Sequence, residues 1–223
     1  NEEATLLTLK PDQLTERKQT SILIYNEGNG KWTGYASKLY GYYASDKLRQ
    51  KMATDGKAGL LKDLIIEYGN ELGIDSIRVD SLHKLDESVT VHYKMMSTNE
   101  QADIIYMNPV LGERFSQNPF KSANRQYPVE IPYKLNELYT LNMEIPDGYV
   151  VEELPTPVRL LLNKNNDGVF DYKISHSGGN ITLNYMLELN KAVFPPAEYN
   201  LLREFFVQLV AKLNEQVVFK KKR

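Results

Sequence analysis

The chain has 223 residues, of which 42% are hydrophobic and 25% are charged, and its formal net charge is −2. This balance is typical of a globular protein and gives no electrostatic basis for binding DNA or RNA. The absence of cysteine excludes a disulfide framework, a thiolate metal site and a cysteine nucleophile. No apolar run approaches the roughly 20 residues that a membrane-spanning helix needs. The start Asn-Glu-Glu predicts a mature product or an excised fragment.

The first elements are predicted to be short strands. Residues 5–9 and 20–25 are rich in β-prone residues and flank turn chemistry at 10–13, which predicts a hairpin. Glycines at both ends of 28–30 indicate a second turn, and residues 31–40 then predict another strand. The N-terminal part of the chain is therefore expected to be a sheet.

Two helices are predicted next. From Ala44 the apolar residues recur every four positions, and Ser45 or Asp46 could cap this first helix. A second helical stripe runs from Leu60 to Tyr68. Both helices interrupt a chain that otherwise consists mainly of predicted strands.

The remaining strands show alternation of apolar and polar residues. From residue 141 onward, turn signals follow each strand at regular spacing, which predicts an antiparallel meander. The predicted strands lie at 77–79, 89–95, 103–107, 141–145, 149–151, 158–162, 169–174 and 181–189.

The stretch 181–219 carries the clearest pattern in the chain. Residues 181–189 alternate without interruption, which is typical of a strand with one buried face. A helix with a single apolar stripe is predicted to follow and to cover that face, and a last strand is predicted at 217–219. The stripe consists of Tyr199, Leu202, Phe206, Leu209, Leu213 and Val217.

Residues 108–126 contain turn residues and little periodicity, so we predict a junction there. The expected division is a β-rich subdomain with two central helices at 1–110 and a β-meander subdomain with a long C-terminal helix at 111–223. The predicted fold class is α+β, mainly antiparallel sheet or sandwich, with helices packed on the sheets.

No constellation in the sequence predicts catalysis, a metal or a cofactor. The chain lacks a Gly-x-Ser-x-Gly elbow, a His-Glu-x-x-His pair and the glycine-rich nucleotide loops. The histidines, His83, His92 and His176, are predicted to have surface or hydrogen-bonding roles. Residues 163–168 resemble the opening of a calcium loop, but Ile174 stands where the closing acid is required, so we interpret them as a hairpin turn.

Tyrosine is unusually frequent, with 15 residues against one tryptophan. An aromatic cluster within twelve residues could stack on sugars or anchor a protein partner. The same residues could equally be strand residues at the rim of a half-buried sheet. The candidate binding residues are Trp32, Tyr35, Tyr40, Tyr42 and Tyr43.

Four segments in a fixed order make the chain similar to a known family. It resembles the C-terminal region of bacterial envelope proteins that contain a transglutaminase-like domain, in which a β-rich domain of unknown function follows the transglutaminase-like one. The segment from Gly30 to Arg49 also resembles the family's entry into this region. The four segments are 145–155 (IPDGYVVEELP), 170–172 (FDY), 189–199 (LNKAVFPPAEY) and 202–206 (LREFF).

The resemblance implies an accessory role. The family's catalytic cysteine, histidine and aspartate belong to the transglutaminase-like domain, which would lie before Asn1, and no position here matches them. The chain is thus expected to be a non-catalytic binding or scaffolding region, exported to the periplasm or cell surface. Its expected partner is the adjoining transglutaminase-like domain, and an envelope protein or a glycan is a further possibility. The alternative is a hydrolase that acts on glycan or peptide through dispersed carboxylates.

Overall fold

A computed structural model of the chain describes residues 13–28, 30–69, 72–98, 102–112 and 115–222. These residues form an α+β structure dominated by antiparallel strands, which confirms the predicted fold class. The helices are α1 (Tyr42–Thr54), α2 (Gly56–Tyr68) and α3 (Tyr199–Leu213). The strands are β1 (Thr15–Gly28), β2 (Lys31–Leu39), β3 (Gly73–Asp80), β4 (Thr90–Thr98), β5 (Ile104–Met107), β6 (Val129–Glu130), β7 (Lys134–Glu144), β8 (Tyr149–Glu153), β9 (Val158–Leu161), β10 (Gly168–Ser177), β11 (Asn180–Leu189), β12 (Val193–Phe194) and β13 (Val217–Lys221).

The main element is an eight-stranded sheet in the order β3-β4-β2-β1-β7-β11-β10-β9. Its neighbouring strands are antiparallel, except that β1 runs parallel to β7. The predicted meander is confirmed for β9, β10 and β11, which pair antiparallel in sequence order. It is wrong before them, because β7 pairs with β11 and β8 lies outside this sheet. β8 instead joins β5 and β13 in a three-stranded sheet, while β6 and β12 pair with each other.

One face of the large sheet is covered and forms the core. The predicted alternation in β11 is confirmed, since the five apolar side chains at its alternate positions 181, 183, 185, 187 and 189 are at most 3% exposed. Burial of each such side chain stabilises the fold by about 1.5–3 kcal/mol. On β1 and β7 the same face presents Ile22, Ile24, Leu141 and Met143.

Helix α3 presents the predicted stripe to this core. Five of the six predicted positions are buried on α3, with Phe205 buried beside them. The sixth, Val217, is buried on β13, so the prediction that it belongs to the helix is wrong. β13 follows directly, and its buried Val217 and Phe219 join the same hydrophobic cluster. Among the helices in the described residues, none is long and apolar enough to cross a membrane.

Helix α1 begins against strand β1 rather than with a cap of its own. Glu16 on β1 accepts hydrogen bonds from the backbone N–H groups of Tyr43 at 3.0 Å and Ala44 at 2.9 Å. The N-cap position is Gly41, so the predicted caps at Ser45 and Asp46 are wrong. Ser45 is buried within the first turn, where its hydroxyl donates to Tyr40 O and accepts from Val89 N.

The large sheet crosses the predicted boundary after residue 110. β1 and β7 lie on opposite sides of that boundary and pair over ten residues each, and β5 pairs across it with β13 over four residues each. The division into subdomains at 1–110 and 111–223 stays a prediction. Residues 5–9 of the predicted hairpin lie outside the described residues, and residues 20–25 pair within β1 with β2 and β7.

Candidate functional site

Over its central strands, the second face of the eight-stranded sheet is not covered by any of the described residues. We call this surface the open face. It carries five large apolar side chains, each between 39% and 52% exposed, whereas Ile22 on the other face of β1 is 2% exposed. The register places all five on the same side of four strands that are neighbours in the sheet. They are Leu23 and Tyr25 of β1, Tyr35 of β2, Met96 of β4 and Leu138 of β7.

A row of short polar side chains crosses the open face beside these apolar residues. The register aligns Ser37, Ser21, Thr140 and Asn184 on successive strands from β2 to β11. The Thr140 hydroxyl donates to Asn184 Oδ1 at 3.0 Å. Because side chains directly opposite one another on a sheet lie about 5 Å apart, the row is an ordered line of donors and acceptors.

Two grooves lie on the open face. One groove of about 670 Å³ is lined by residues of β1, β2, β3, β4 and β7, and a second of about 370 Å³ continues over β7, β11 and β10. Thr140 lines both. From β4 to β10 the surface spans five strand spacings, or about 24 Å. These dimensions suit contact with an extended ligand or with another protein surface.

Charged groups lie toward the ends of the open face. On β4, the His92 ring nitrogen Nε2 lies 3.0 Å from Asp80 Oδ2. At the other end, Asp171 on β10 lies 3.1 Å from Lys173 and 3.6 Å from Arg159. The centre between these pairs presents uncharged side chains, so it can supply van der Waals contact and neutral hydrogen bonds.

The five predicted binding residues are distributed over different parts of the fold. Tyr35 lies on the open face, where its ring meets Tyr25 edge to face at 6.3 Å. Trp32 points to the covered face, because it stands an odd number of positions from Tyr35 on the same strand. Tyr40 is partly buried, and the Lys38 ammonium lies 5.3 Å from its ring centroid.

Tyr42 and Tyr43 belong to the first turn of α1. Tyr42 is exposed, while the Tyr43 ring stacks on Tyr133 at 4.9 Å. Burial, together with the negative charge of Glu16, raises the pKa of Tyr133. Neither tyrosine of this stacked pair lines the two grooves on the open face.

Sequence reasoning missed most of the open face. Leu23, Tyr25, Met96 and Leu138 come from three strands that are distant in sequence. One local signal was present: residues 22–25 are apolar at four consecutive positions, so both faces of β1 carry apolar side chains.

The described part of the chain contains no cluster of three or more histidine and carboxylate side chains that could hold a metal ion. The hairpin interpretation of residues 163–168 is confirmed, since they join the antiparallel strands β9 and β10. Asn163 Oδ1 accepts hydrogen bonds from the backbone N–H groups of Asn165 and Asp167, and thus closes the turn itself.

Comparison with known proteins identifies a family for the C-terminal half. Residues 103–219, more than half of the chain, match DUF3858, described as a domain of unknown function with a solved structure. No curated protein matches the chain.

A crystal structure described as "a putative protease" from Parabacteroides distasonis ATCC 8503 is 20% identical, with a TM-score of 0.44. The match covers 54% of this chain and 24% of that one, so the chain spans about a quarter of the length of that protein.

Proposed function

The chain belongs to the DUF3858 family, and we propose that it is a non-catalytic docking module that binds a neighbouring protein domain through its open face. The single observation that carries the proposal is the uncovered sheet face with its five large apolar side chains. Isolated exposed apolar residues are ordinary, but contiguous ones rimmed by polar groups are typical of interaction surfaces.

The chemistry of the open face favours a protein surface as its partner. Leucine and methionine side chains at Leu23, Leu138 and Met96 contribute by van der Waals packing, whereas Tyr25 and Tyr35 combine a large apolar ring with a hydroxyl. Contacts between domains of one chain bury roughly 600–1,500 Å² and are more polar than permanent interfaces. A mixed apolar and polar surface about 24 Å across suits an interface of that kind.

The partner proposed is a transglutaminase-like domain on the N-terminal side of this chain, in an exported protein of the periplasm or cell surface. The support for this partner is the resemblance of segments 145–155, 170–172, 189–199 and 202–206 to the envelope proteins described above. A coding sequence without a transglutaminase-like domain upstream of Asn1 would overturn this part of the proposal.

The proposal that the chain is not an enzyme is supported by two carboxylates that line cavities among the described residues, because both are held by cations. Asp171 on the open face is held by Lys173 and Arg159, and Glu67 binds Lys38 at 2.6 Å. These acids line different cavities. A hydrolase of the alternative kind requires two carboxylates facing each other across one groove.

The docking surface is tested by measuring the binding of the upstream region to this chain by surface plasmon resonance. Leu23→Lys and Leu138→Lys place charges in the centre of the proposed interface, and we expect each to weaken binding by about tenfold or more. Leu201→Lys is the matched control, because Leu201 is similarly exposed but lies on α3. Unchanged binding of both open-face variants would overturn the proposal.

A further inference from the structure

We propose that the protein domain that docks on the open face presents a carboxylate side chain to Lys94, at the β4 end of the larger groove. This inference rests on the docking proposal and adds the chemistry of the partner's surface. Lys94 belongs to β4, and the strand register places it opposite Tyr35 on the same face of the sheet. It also stands two positions before Met96, so the apolar side chains of the open face are its neighbours.

The larger groove, of about 670 Å³, has a cationic lining. Arg78, His92 and Lys94 line it, and no carboxylate does so among the described residues. The smaller groove is balanced, because Asp171 and Lys173 both line it and their charged groups lie 3.1 Å apart. Within the two grooves, the excess of positive charge therefore lies at the β4 end.

The carboxylates near that end are engaged elsewhere. Asp80 Oδ2 lies 3.2 Å from Arg78 Nη2 and 3.0 Å from His92 Nε2, so one acid serves two nitrogen groups. Asp75 stands opposite Lys94 on β3, but its carboxylate accepts the next backbone N–H along the chain. Lys94 itself makes no ion pair or hydrogen bond with the rest of the described chain. Its ammonium is thus available to an anion from outside.

Docking would change the surroundings of this ammonium. Lys94 is already partly buried, and a protein surface that packs on Tyr35 and Met96 would remove more of the water around it. A charge that loses water without gaining a partner opposes association. A carboxylate on the docked surface instead supplies a charge-assisted hydrogen bond. An acidic side chain is therefore the chemistry that suits both the apolar contacts and the charge.

The sheet also fixes where this acid lies relative to the apolar contacts. Lys94, Tyr35 and Leu23 are paired in one row across β4, β2 and β1. Because neighbouring strands lie about 4.8 Å apart, Lys94 and Leu23 are separated by about 10 Å along this row. The partner's surface should therefore carry its carboxylate about 10 Å from the apolar group that packs on Leu23.

The test measures binding of the protein region encoded before Asn1 to the full chain by surface plasmon resonance. We expect Lys94→Glu to weaken binding by about tenfold or more, because two carboxylates would face each other. Lys94→Arg keeps the charge and should bind within about twofold of wild type. The gap between wild type and Lys94→Glu should narrow from about 0.1 M to about 1 M salt, since the Debye length falls from about 10 Å to about 3 Å. A defect caused by misfolding would not be relieved by salt in this way.

Lys62→Glu is the control for the change in net charge. Lys62 is exposed on α2 and lines neither groove, so this variant should bind like wild type. Equal affinities of Lys94→Glu and Lys62→Glu, with binding still weakened by Leu23→Lys and Leu138→Lys, would overturn the acidic contact and leave the docking proposal standing. Unchanged binding of both leucine variants, or no binding of the upstream region to wild type, would overturn the docking proposal and this inference with it.

Discussion

Tyr172 and Tyr185 lie directly opposite each other on β10 and β11, yet their hydroxyl groups have different surroundings. The Tyr185 hydroxyl donates a hydrogen bond to Glu137 Oε1 at 2.6 Å. The Tyr172 hydroxyl is buried and has no hydrogen-bond partner within the described ranges. Two residues of the same type at paired positions thus differ in what their hydroxyls contribute to stability.

Replacement of each tyrosine by phenylalanine should change the free energy of unfolding differently. Tyr172→Phe removes a buried hydroxyl without a partner, so we expect the free energy of unfolding to stay constant or rise by up to about 1 kcal/mol. Tyr185→Phe removes the donor to the buried Glu137, and we expect a loss of about 1–3 kcal/mol. Urea unfolding at pH 7 measures both. A loss in Tyr172→Phe as large as that in Tyr185→Phe would contradict the difference described here.

The stability of the protein at alkaline pH should depend on the Tyr172 hydroxyl. Burial raises the pKa of Tyr172, and the negative charge of Glu215 adds to this effect. The folded state therefore keeps a proton that the unfolded state releases near pH 10. The free energy of unfolding that depends on the neutral hydroxyl is complete below pH 10 and falls as the pH rises further. We expect wild type to lose stability more steeply than Tyr172→Phe between pH 10 and pH 11, measured by urea unfolding at each pH. Parallel curves would exclude Tyr172 as the cause.

The start of α1 should depend on Glu16. Its carboxylate accepts the N–H groups of Tyr43 and Ala44 at a position that is 4% exposed, so it takes the place of a local helix cap. We expect Glu16→Ala to lower the free energy of unfolding by about 1–3 kcal/mol, because two backbone donors lose their acceptor and a negative charge at a helix N-terminus is removed.

Two variants separate this capping role from a general effect of charge. Glu16→Gln keeps one side-chain oxygen and should lose less than Glu16→Ala. Glu27→Ala, at an exposed position of the same strand, should change stability by no more than about 0.5 kcal/mol. If Glu16→Ala and Glu27→Ala were equivalent in chemical denaturation, the hydrogen bonds from Glu16 to α1 would contribute nothing to stability.

The elements that the sequence predicted well depend on local periodicity. The alternation in 181–189 determines which side chains are buried whatever strand lies beside β11, and the stripe of α3 does so for that helix. Periodicity does not determine which strands pair. β1 and β7 are separated by more than a hundred residues, and their parallel pairing depends on the packing of the whole chain. The departure of β8 to the three-stranded sheet was unpredictable for the same reason.

The candidate site was harder to predict from the sequence, because its residues come from strands whose pairing periodicity does not determine. Nearness in sequence suggested a surface around Trp32, Tyr35 and Tyr43. Strand alternation places Trp32 and Tyr35 on opposite faces of the sheet, and Tyr43 lies in helix α1. The open face is instead assembled from β1, β2, β4 and β7, whose proximity follows from strand order alone. Each of its apolar residues, taken by itself, looks like an ordinary exposed side chain.

The packing of α3 is tested by Phe206→Ala. Phe206 is 3% exposed, and its ring meets Phe120 at 5.0 Å and Phe115 at 5.7 Å, so the irregular segment 115–120 covers it. We expect a loss of about 3–5 kcal/mol in urea unfolding, because a buried aromatic ring is replaced by a cavity. Val207→Ala, at the neighbouring exposed position, should cost no more than about 0.5 kcal/mol. Since the ring also holds segment 115–120 against α3, Phe206→Ala should increase proteolytic cleavage within that segment in the folded protein. A loss of a few tenths of a kcal/mol with unchanged cleavage would mean that α3 packs through a different face.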